Sequence, residues 1–413
     1  MEAKHTLGEP RALVSRNALL HNVSVLRRAV GDGVKLCAML KADAYGHGAA
    51  VVLDALSNFA DGAAEGPFVD AVAVASIDEA AALPETSLPV LVFRPIENIF
   101  LGRQREKLEL AIRSGWTLTV CTRSAADDVA RIALTCGKRA SVQLMVDTGM
   151  TRSGVPAEEL RDLHAQVAAH ASLRLQSLCT HFASGESTAD PFTFEQNRRF
   201  ADVTEPCIVE HAARGKTLMR HAANSGAAFL HPGTHYDMVR PGIALYGIDP
   251  TCNPSTHRLL KPALRWTAPL VQINDVRKGT PVGYGQTWHA PRDTRIGLVP
   301  VGYADGYPRL CSNQSSMIVH GKPAQVVGRV SMDLTTIDLG GIPQANVGDE
   351  VTVLDSDPLS PASAYQLAEL AHTIPYELFC RIGPRVHRVA VDPTDPTPGD
   401  THRRTSRSMA DWE

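Results

Sequence analysis

Residues 34–48 read VKLCAMLKADAYGHG. The first seven have strand length and strand composition, and Lys41 closes the run where a buried strand should open into a loop. A lysine at a strand end is ordinarily a solvated surface charge. This one has unusual company. Ala42, Ala44, Gly46 and Gly48 keep the following turn small, Tyr45 offers an aromatic hydroxyl and His47 a titratable ring. Small residues around a lysine leave room for a bulky planar ligand.

Outward from this stretch, short apolar runs alternate with helical patterns up to about residue 247. The runs are VKLCAML, DAVAVA, PVLVF, TLTVC, SVQLMV, LRLQSLC, TLMRHAA and MVRPGIAL. Between them, segments such as SAADDVARIALTC and AEELRDLHAQVAAH carry apolar residues at helical spacing. Alternating strand and helix implies a parallel sheet with right-handed crossovers, and eight such repeats predict a closed eightfold barrel of the TIM type, assigned to residues 1–257. A doubly wound open sheet is the alternative, but the chain shows no GxGxxG turn to support one.

Beyond that point the pattern changes. Residues 258–392 hold strand-like runs such as APLVQINDV, SMIVHG and DEVTVLD, joined by Gly and Pro turns, with one helical piece near AYQLAELAHTI. This predicts a mostly antiparallel second domain, making an α/β chain with a β appendage. Residues 393–413, rich in Pro, Thr and charge, are expected to be a mobile tail.

Bulk composition narrows the function classes. With 413 residues and 44% in the hydrophobic set, the chain can build two real cores. A formal charge of -3 gives no footprint for nucleic acid or an anionic membrane. Eight cysteines without a CxxC pair indicate neither a zinc site nor a disulfide framework, which suits a reducing cytoplasm. Neither a signal peptide nor an uncharged run of the ~18 residues needed to span a bilayer is expected.

If the barrel is right, chemistry should cluster just after the C-terminal strand ends. Lys41 follows the first strand, Asp147 and Arg152 the fifth, His181 the sixth, Asn224 and Ser225 the seventh, and Arg240 lies in the eighth. Each alone has a structural explanation, as a cap, an ion pair or a satisfied buried histidine. Their convergence on one barrel mouth is harder to dismiss. The loops ANSG and RPGI offer hydroxyl and N–H donors where such barrels often hold phosphate, and a lysine across the mouth can condense with an aldehyde. A ligand with both groups is pyridoxal 5′-phosphate.

AMLKADAYGHGA, VDTGMTRSGV, THFA, AANSGAA, MVRPGIALYG, VGYGQTW, VGYADGYPR, GRVSMD and TIPYELFCRIGPRV, in this order, resemble the successive motifs of the alanine racemase family. The resemblance implies an N-terminal barrel and a C-terminal β domain in a head-to-tail homodimer acting on a small amino acid. It implies that Lys41 holds the cofactor and is one base, and that Tyr284 of the partner subunit is the other. His181 and Arg240 match a hydrogen-bonded chain, with Arg240 facing the cofactor's ring nitrogen. Tyr45, Ser225, Gly242, Ile243 and Tyr376 match phosphate contacts, with Asn224 beside them. Arg152 matches a residue near the substrate carboxylate, Met332 with Asp333 resemble the partner subunit's loop whose backbone meets that carboxylate, and Tyr303 matches the tyrosine that narrows the substrate channel. Asp305 and Arg309 are read as supporting residues.

One departure stands out. In many racemases a lysine two residues before the DTGM motif becomes carbamylated and braces the arginine; here Met145 occupies that position. A thioether cannot form a carbamate, so Arg152 must be oriented by something else, such as Asp147, a bound anion or water. The functions that follow are alanine racemisation supplying D-alanine for peptidoglycan, a racemase of broader or different preference such as serine, or a non-catalytic pyridoxal phosphate binding protein. Tyr284, Tyr303 and Met332 argue against the last.

Overall fold

The computed structural model describes residues 9–57, 68–96, 103–251 and 259–391. The expected tail and the expected 257/258 boundary lie outside these residues. Two compact units emerge: Ala18–Lys261, and the described residues up to Asn17 together with those from Pro262 onward.

The first strand, β1 (Arg11–Ser15), is a correction to the expected layout. Assigned with the barrel by position, it pairs antiparallel with a strand at Leu264–Pro269 and parallel with one at His387–Val391. Its burial alternates along RALVS, as a strand covered on one face requires.

The barrel follows. Its strands are β2 (Lys35–Met39), β3 (Ala71–Val74), β4 (Val90–Val92), β5 (Thr117–Val120) and β6 (Ala140–Asp147). After the short β7 (Val155–Pro156), which extends the edge of β6, come β8 (Leu173–Cys179), β9 (Met219–His221) and β10 (Met238–Val239). Every neighbouring pair is parallel, β5 joins β6, and β10 returns to β2, which closes an eight-stranded barrel. β3, β4 and β5 are buried at every residue, the continuous apolar signature of strands covered on both faces. Helices pack outside. The one at Ile77–Ala82 starts on a capping box in which Ser76 accepts from the Glu79 N–H and Glu79 accepts from the Ser76 N–H.

The second unit is mostly antiparallel. Its strands are β11 (Leu264–Pro269), β12 (Gln272–Val276), β13 (Pro281–Val282), β14 (Trp288–His289), β15 (Thr294–Val299), β16 (Ser316–Val319), β17 (Lys322–Gln325), β18 (Thr335–Asp338), β19 (Glu350–Leu354) and β20 (His387–Val391). A six-stranded sheet runs β17-β16-β19-β11-β1-β20, beside a three-stranded sheet β12-β15-β18 and the hairpin β13-β14. Helices Ala364–Leu370 and Pro375–Arg381 complete it. Among the described residues no helix is long and apolar enough to cross a membrane.

Candidate active site

Lys41 stands directly after β2 and opens a turn of unexpected hand. Ala42, Asp43, Ala44 and Tyr45 all have φ between 53° and 55°, a left-handed run without a glycine. Such backbone costs roughly 1–2 kcal/mol per residue and survives only where surroundings impose it. They do so here. Ala44 N donates to Leu40 O at 2.8 Å, and Gly48 N to Asp43 O at 2.9 Å. Asp43 Oδ1 accepts from Ala49 N at 2.7 Å, while Glu79, in the first turn of the helix Ile77–Ala82, accepts from Ala42 N at 3.0 Å. The Tyr45 ring packs against Tyr246, whose hydroxyl donates to Met39 O at 2.8 Å. Glu79 and Tyr246 were not singled out in the sequence; the Ser76–Glu79 capping pattern was the available signal.

Arg240 is 4% exposed in the barrel interior. Its guanidinium donates to Thr180 O at 2.7 Å and Ala222 O at 3.0 Å, and meets His221 Nδ1 at 2.9 Å and His181 Nδ1 at 3.4 Å. The Phe93 ring lies 5.3 Å from its carbon. No carboxylate pairs with it among the described residues. Nor can thiolates serve, since burial pushes the nearby Cys37 and Cys179 thiols up to about 12. Burial and then the Arg240 charge, with Arg152 and Lys41 adding to it, lower His181 to about 3. His221, fully buried beside the same guanidinium, is lowered well below its usual value. Both imidazoles are therefore neutral. His221 was not among the sequence candidates, because it sits inside a strand and not in a loop.

Opposite, the loops after β9 and β10 meet. Asn224 Oδ1 caps the turn by accepting from Ala227 N, and the Ser225 hydroxyl accepts from Gly242 N at 2.9 Å and Ala244 N at 3.3 Å. A Cβ on Gly242 would fall 2.2 Å from Tyr45 Oη, so only glycine lets that hydroxyl approach this backbone. Ile243 follows, fully buried. After β6, Asp147 Oδ1 accepts from Gly149 N and Thr151 N, which shapes the turn leading to Arg152. Asp147 is thus occupied by its own turn and is not the brace for Arg152. Met145 Sδ accepts from Ser153 Oγ at 3.2 Å. Arg152 is exposed, enters no ion pair among the described residues, and with Ser153 borders a cavity of ≈ 340 Å³ that runs along the segments after β3 and β4 and is not lined by Lys41, His181 or Arg240.

The remaining candidates lie on the β unit. Tyr284, 71% exposed, begins a turn in which Gln286 N donates to Gly283 O. Tyr303 and Met332 sit on adjoining segments: Tyr303 N donates to Ser331 O and Ala304 N to Met332 O. Asp333 is ion-paired to Arg385 at 2.8 Å, and Arg385 also bonds the buried Asp305 at 2.9 Å, which accepts from Gly302 N. Asp305 and Arg385 therefore hold the segments that carry Tyr303 and Met332. Arg309 is exposed in a short turn, and Tyr376 is partly buried in the helix Pro375–Arg381.

Comparison with known proteins matches both units. Residues 14–250 fit the family profile described as the alanine racemase N-terminal domain, and residues 263–390 fit that of the C-terminal domain. Alanine racemase from Chlorobaculum tepidum is 37% identical over 380 residues, which is 92% of this chain and 95% of that protein. The structure of alanine racemase from Streptomyces coelicolor superposes with a TM-score of 0.82 at 32% identity, covering 94% of this chain and all of that one. That of Bartonella henselae alanine racemase with covalently bound pyridoxal phosphate has a TM-score of 0.76 at 26% identity, over 93% and 99% of the two chains.

The depressed imidazoles dictate an acid dependence. Below pH ~6.5 an unfolded histidine binds a proton that folded His221 refuses, so stability is intact above that pH and falls as pH drops further. Thermal unfolding followed from about pH 7.5 to pH 5 should show that loss, and His221→Asn should flatten it by up to about 1.4 kcal/mol per pH unit. An unchanged acid slope in the variant would contradict this reading of the buried pair with Arg240.

Proposed function

The chain belongs to the alanine racemase family, and from that premise we propose that it interconverts L- and D-alanine with pyridoxal 5′-phosphate held on Lys41, using Lys41 and the partner subunit's Tyr284 as the two bases. Membership makes it an amino-acid racemase, an isomerase. The finer reading includes a homodimer with shared sites, a cytoplasmic location and D-alanine supplied to peptidoglycan.

The residues present fit the cofactor. Lys41 opens at the barrel mouth, while the Ser225 and Tyr45 hydroxyls converge where Gly242 has no side chain, a cradle suited to phosphate. Ile243 completes that side, Asn224 fixes the loop by its cap, and Tyr376 is assigned to the same phosphate. When bound, the cofactor supplies an electron-accepting ring that acidifies the Cα–H of the amino acid attached to it.

Racemisation removes a proton from one face of Cα and returns one to the other. Two bases on opposite faces are the economical solution. Lys41 Nζ is assigned to one face and the partner subunit's Tyr284 Oη to the other. An ordinary phenol, with a pKa of ~10, is a weak base at neutral pH and needs cationic support. Neutral His181, backed by Arg240, is assigned to hydrogen-bond that phenol and steady its charge. Arg152 and the backbone of the partner subunit's Met332 are assigned to the substrate carboxylate, the partner subunit's Asp333 to holding that segment, and Tyr303 to limiting side-chain size.

One observation carries the choice of reaction: among the described residues Arg240 is a buried guanidinium without a carboxylate partner. It stays cationic and disfavours a protonated ring nitrogen beside it. With the cofactor bound, a cationic Arg240 would thereby favour return of the proton to Cα over amino transfer or decarboxylation. A preference other than alanine, such as serine, is the second reading. It is favoured by the Met145–Ser153 pair, which leaves Arg152 without a covalent brace.

Borohydride reduction of the holoenzyme followed by peptide mapping should recover the cofactor on Lys41, and chiral chromatography of an L-amino-acid panel should show alanine converted fastest. Label on another lysine, or racemisation of none of the panel, would overturn the assignment.

Because Met145 cannot be carbamylated, turnover should be indifferent to added bicarbonate. Activation by bicarbonate, or a carbamate found on another residue against Arg152, would show that the lost brace has been replaced covalently.

A further inference from the structure

The N-terminal ends of the barrel strands lie opposite the catalytic mouth, and this end normally serves stability rather than chemistry. A cleft of ≈ 320 Å³ opens there, beside the starts of β8 and β9 and the ends of helices Leu160–Ala169 and Phe192–Ala213. Arg139, Arg174, Arg214 and Lys216 line it, and no acidic side chain does. Among the described residues none of these four enters an ion pair; Arg139 donates to Leu173 O at 2.9 Å, which fixes its guanidinium at the cleft. The chain as a whole carries a formal charge of -3, so this local excess runs against its composition.

A fifth basic group stands in the wall. His211 is only 5% exposed, yet it lines the cleft. Its Nδ1 pairs with Nε2 of the fully buried His164 at 3.1 Å, and its Nε2 has no hydrogen-bond partner among the described residues. The nearest carboxylate, Glu210, lies behind, 3.7 Å from His164 Nδ1, and is engaged with Arg161. Four solvent-exposed cations and a free ring nitrogen thus border one polar space that no acidic side chain lines.

Like charges gathered this way repel one another, and a ligand with several anionic oxygens removes that cost while matching the fork of each guanidinium. One singly charged ion would leave most of the repulsion in place. The confined cleft and the acidic balance of the rest of the chain disfavour a nucleic-acid backbone. We propose that this cleft binds a small molecule carrying two or more phosphate groups, either inorganic or as the phosphate chain of a nucleotide. Such a ligand ties the end of the helix Phe192–Ala213 to the starts of β6 and β8 and stabilises the folded barrel by mass action. The proposal is independent of the catalytic reading.

The test is calorimetric titration of the gel-filtered holoenzyme with pyrophosphate, tripolyphosphate and ADP at matched ionic strength. Saturable binding is expected, with tripolyphosphate at least tenfold tighter than inorganic phosphate, and Arg174→Glu with Lys216→Glu should weaken it at least tenfold while racemase turnover is unchanged. Equal affinity for ADP and pyrophosphate would assign the phosphate chain alone, and tighter ADP binding would assign a nucleotide; both support the site. Absence of saturable binding by any of the three, or affinity unmoved in the double variant, would mean that this is a solvated basic face and would overturn the proposal.

Discussion

Four consecutive non-glycine residues held in left-handed backbone, Ala42 to Tyr45, are the constraint on which the catalytic end of the barrel depends. At roughly 1–2 kcal/mol each, they cost as much as a substantial share of a domain's net stability. The offset comes from several strands at once. Glu79 reaches from the first turn of the helix Ile77–Ala82, Asp43 closes onto the next helix, and Tyr246, beyond β10, stacks on the turn and bonds the end of β2. The result is geometric. Lys41 stays at the mouth, while Tyr45, four residues on, doubles back to place its hydroxyl against Gly242. One turn thus joins Lys41 to the loops that carry Ser225 and Gly242.

The second element is a charge deliberately left open. A buried guanidinium is expensive unless its donors are used, and Arg240 uses them on two carbonyls and two neutral imidazoles and not on a carboxylate. The desolvation and charge that lower His181 and His221 also prevent either ring from neutralising or duplicating the cation. The guanidinium thus keeps one positive charge in fixed orientation inside the barrel. That choice separates the proposed racemisation from reactions that need a protonated ring.

Much of this was legible in the sequence for identifiable reasons. The barrel strands announce themselves as continuous apolar runs because both faces are covered, and the polar residues at their C-terminal ends fall where a barrel exposes them. β1 escaped because RALVS is too short a run to stand out as a strand beside the barrel's. Its alternating burial, period two against the continuous runs of β3 to β5, was the discriminating signal. The left-handed turn could not be read at all, since Ala-Asp-Ala carries no glycine to warn of positive φ. Glu79, Tyr246 and His221 act through contacts 19 to 207 residues distant in sequence, and no local pattern marks such partners. The Asp305–Arg385–Asp333 chain is of the same kind: ordinary surface charges by sequence, a fixed platform once folded.

The central claim is that each catalytic site takes Lys41 from one chain and Tyr284 from another, and subunit mixing tests it most directly. Lys41→Ala and Tyr284→Phe homodimers are each expected to be nearly inactive. After random reassociation half the dimers are mixed, and each mixed dimer contains one site with both residues intact, so activity should return to about a quarter of wild type, as twofold symmetry requires. No recovery after subunit exchange has been demonstrated would mean that Tyr284 serves the lysine of its own chain, and the shared site would be wrong.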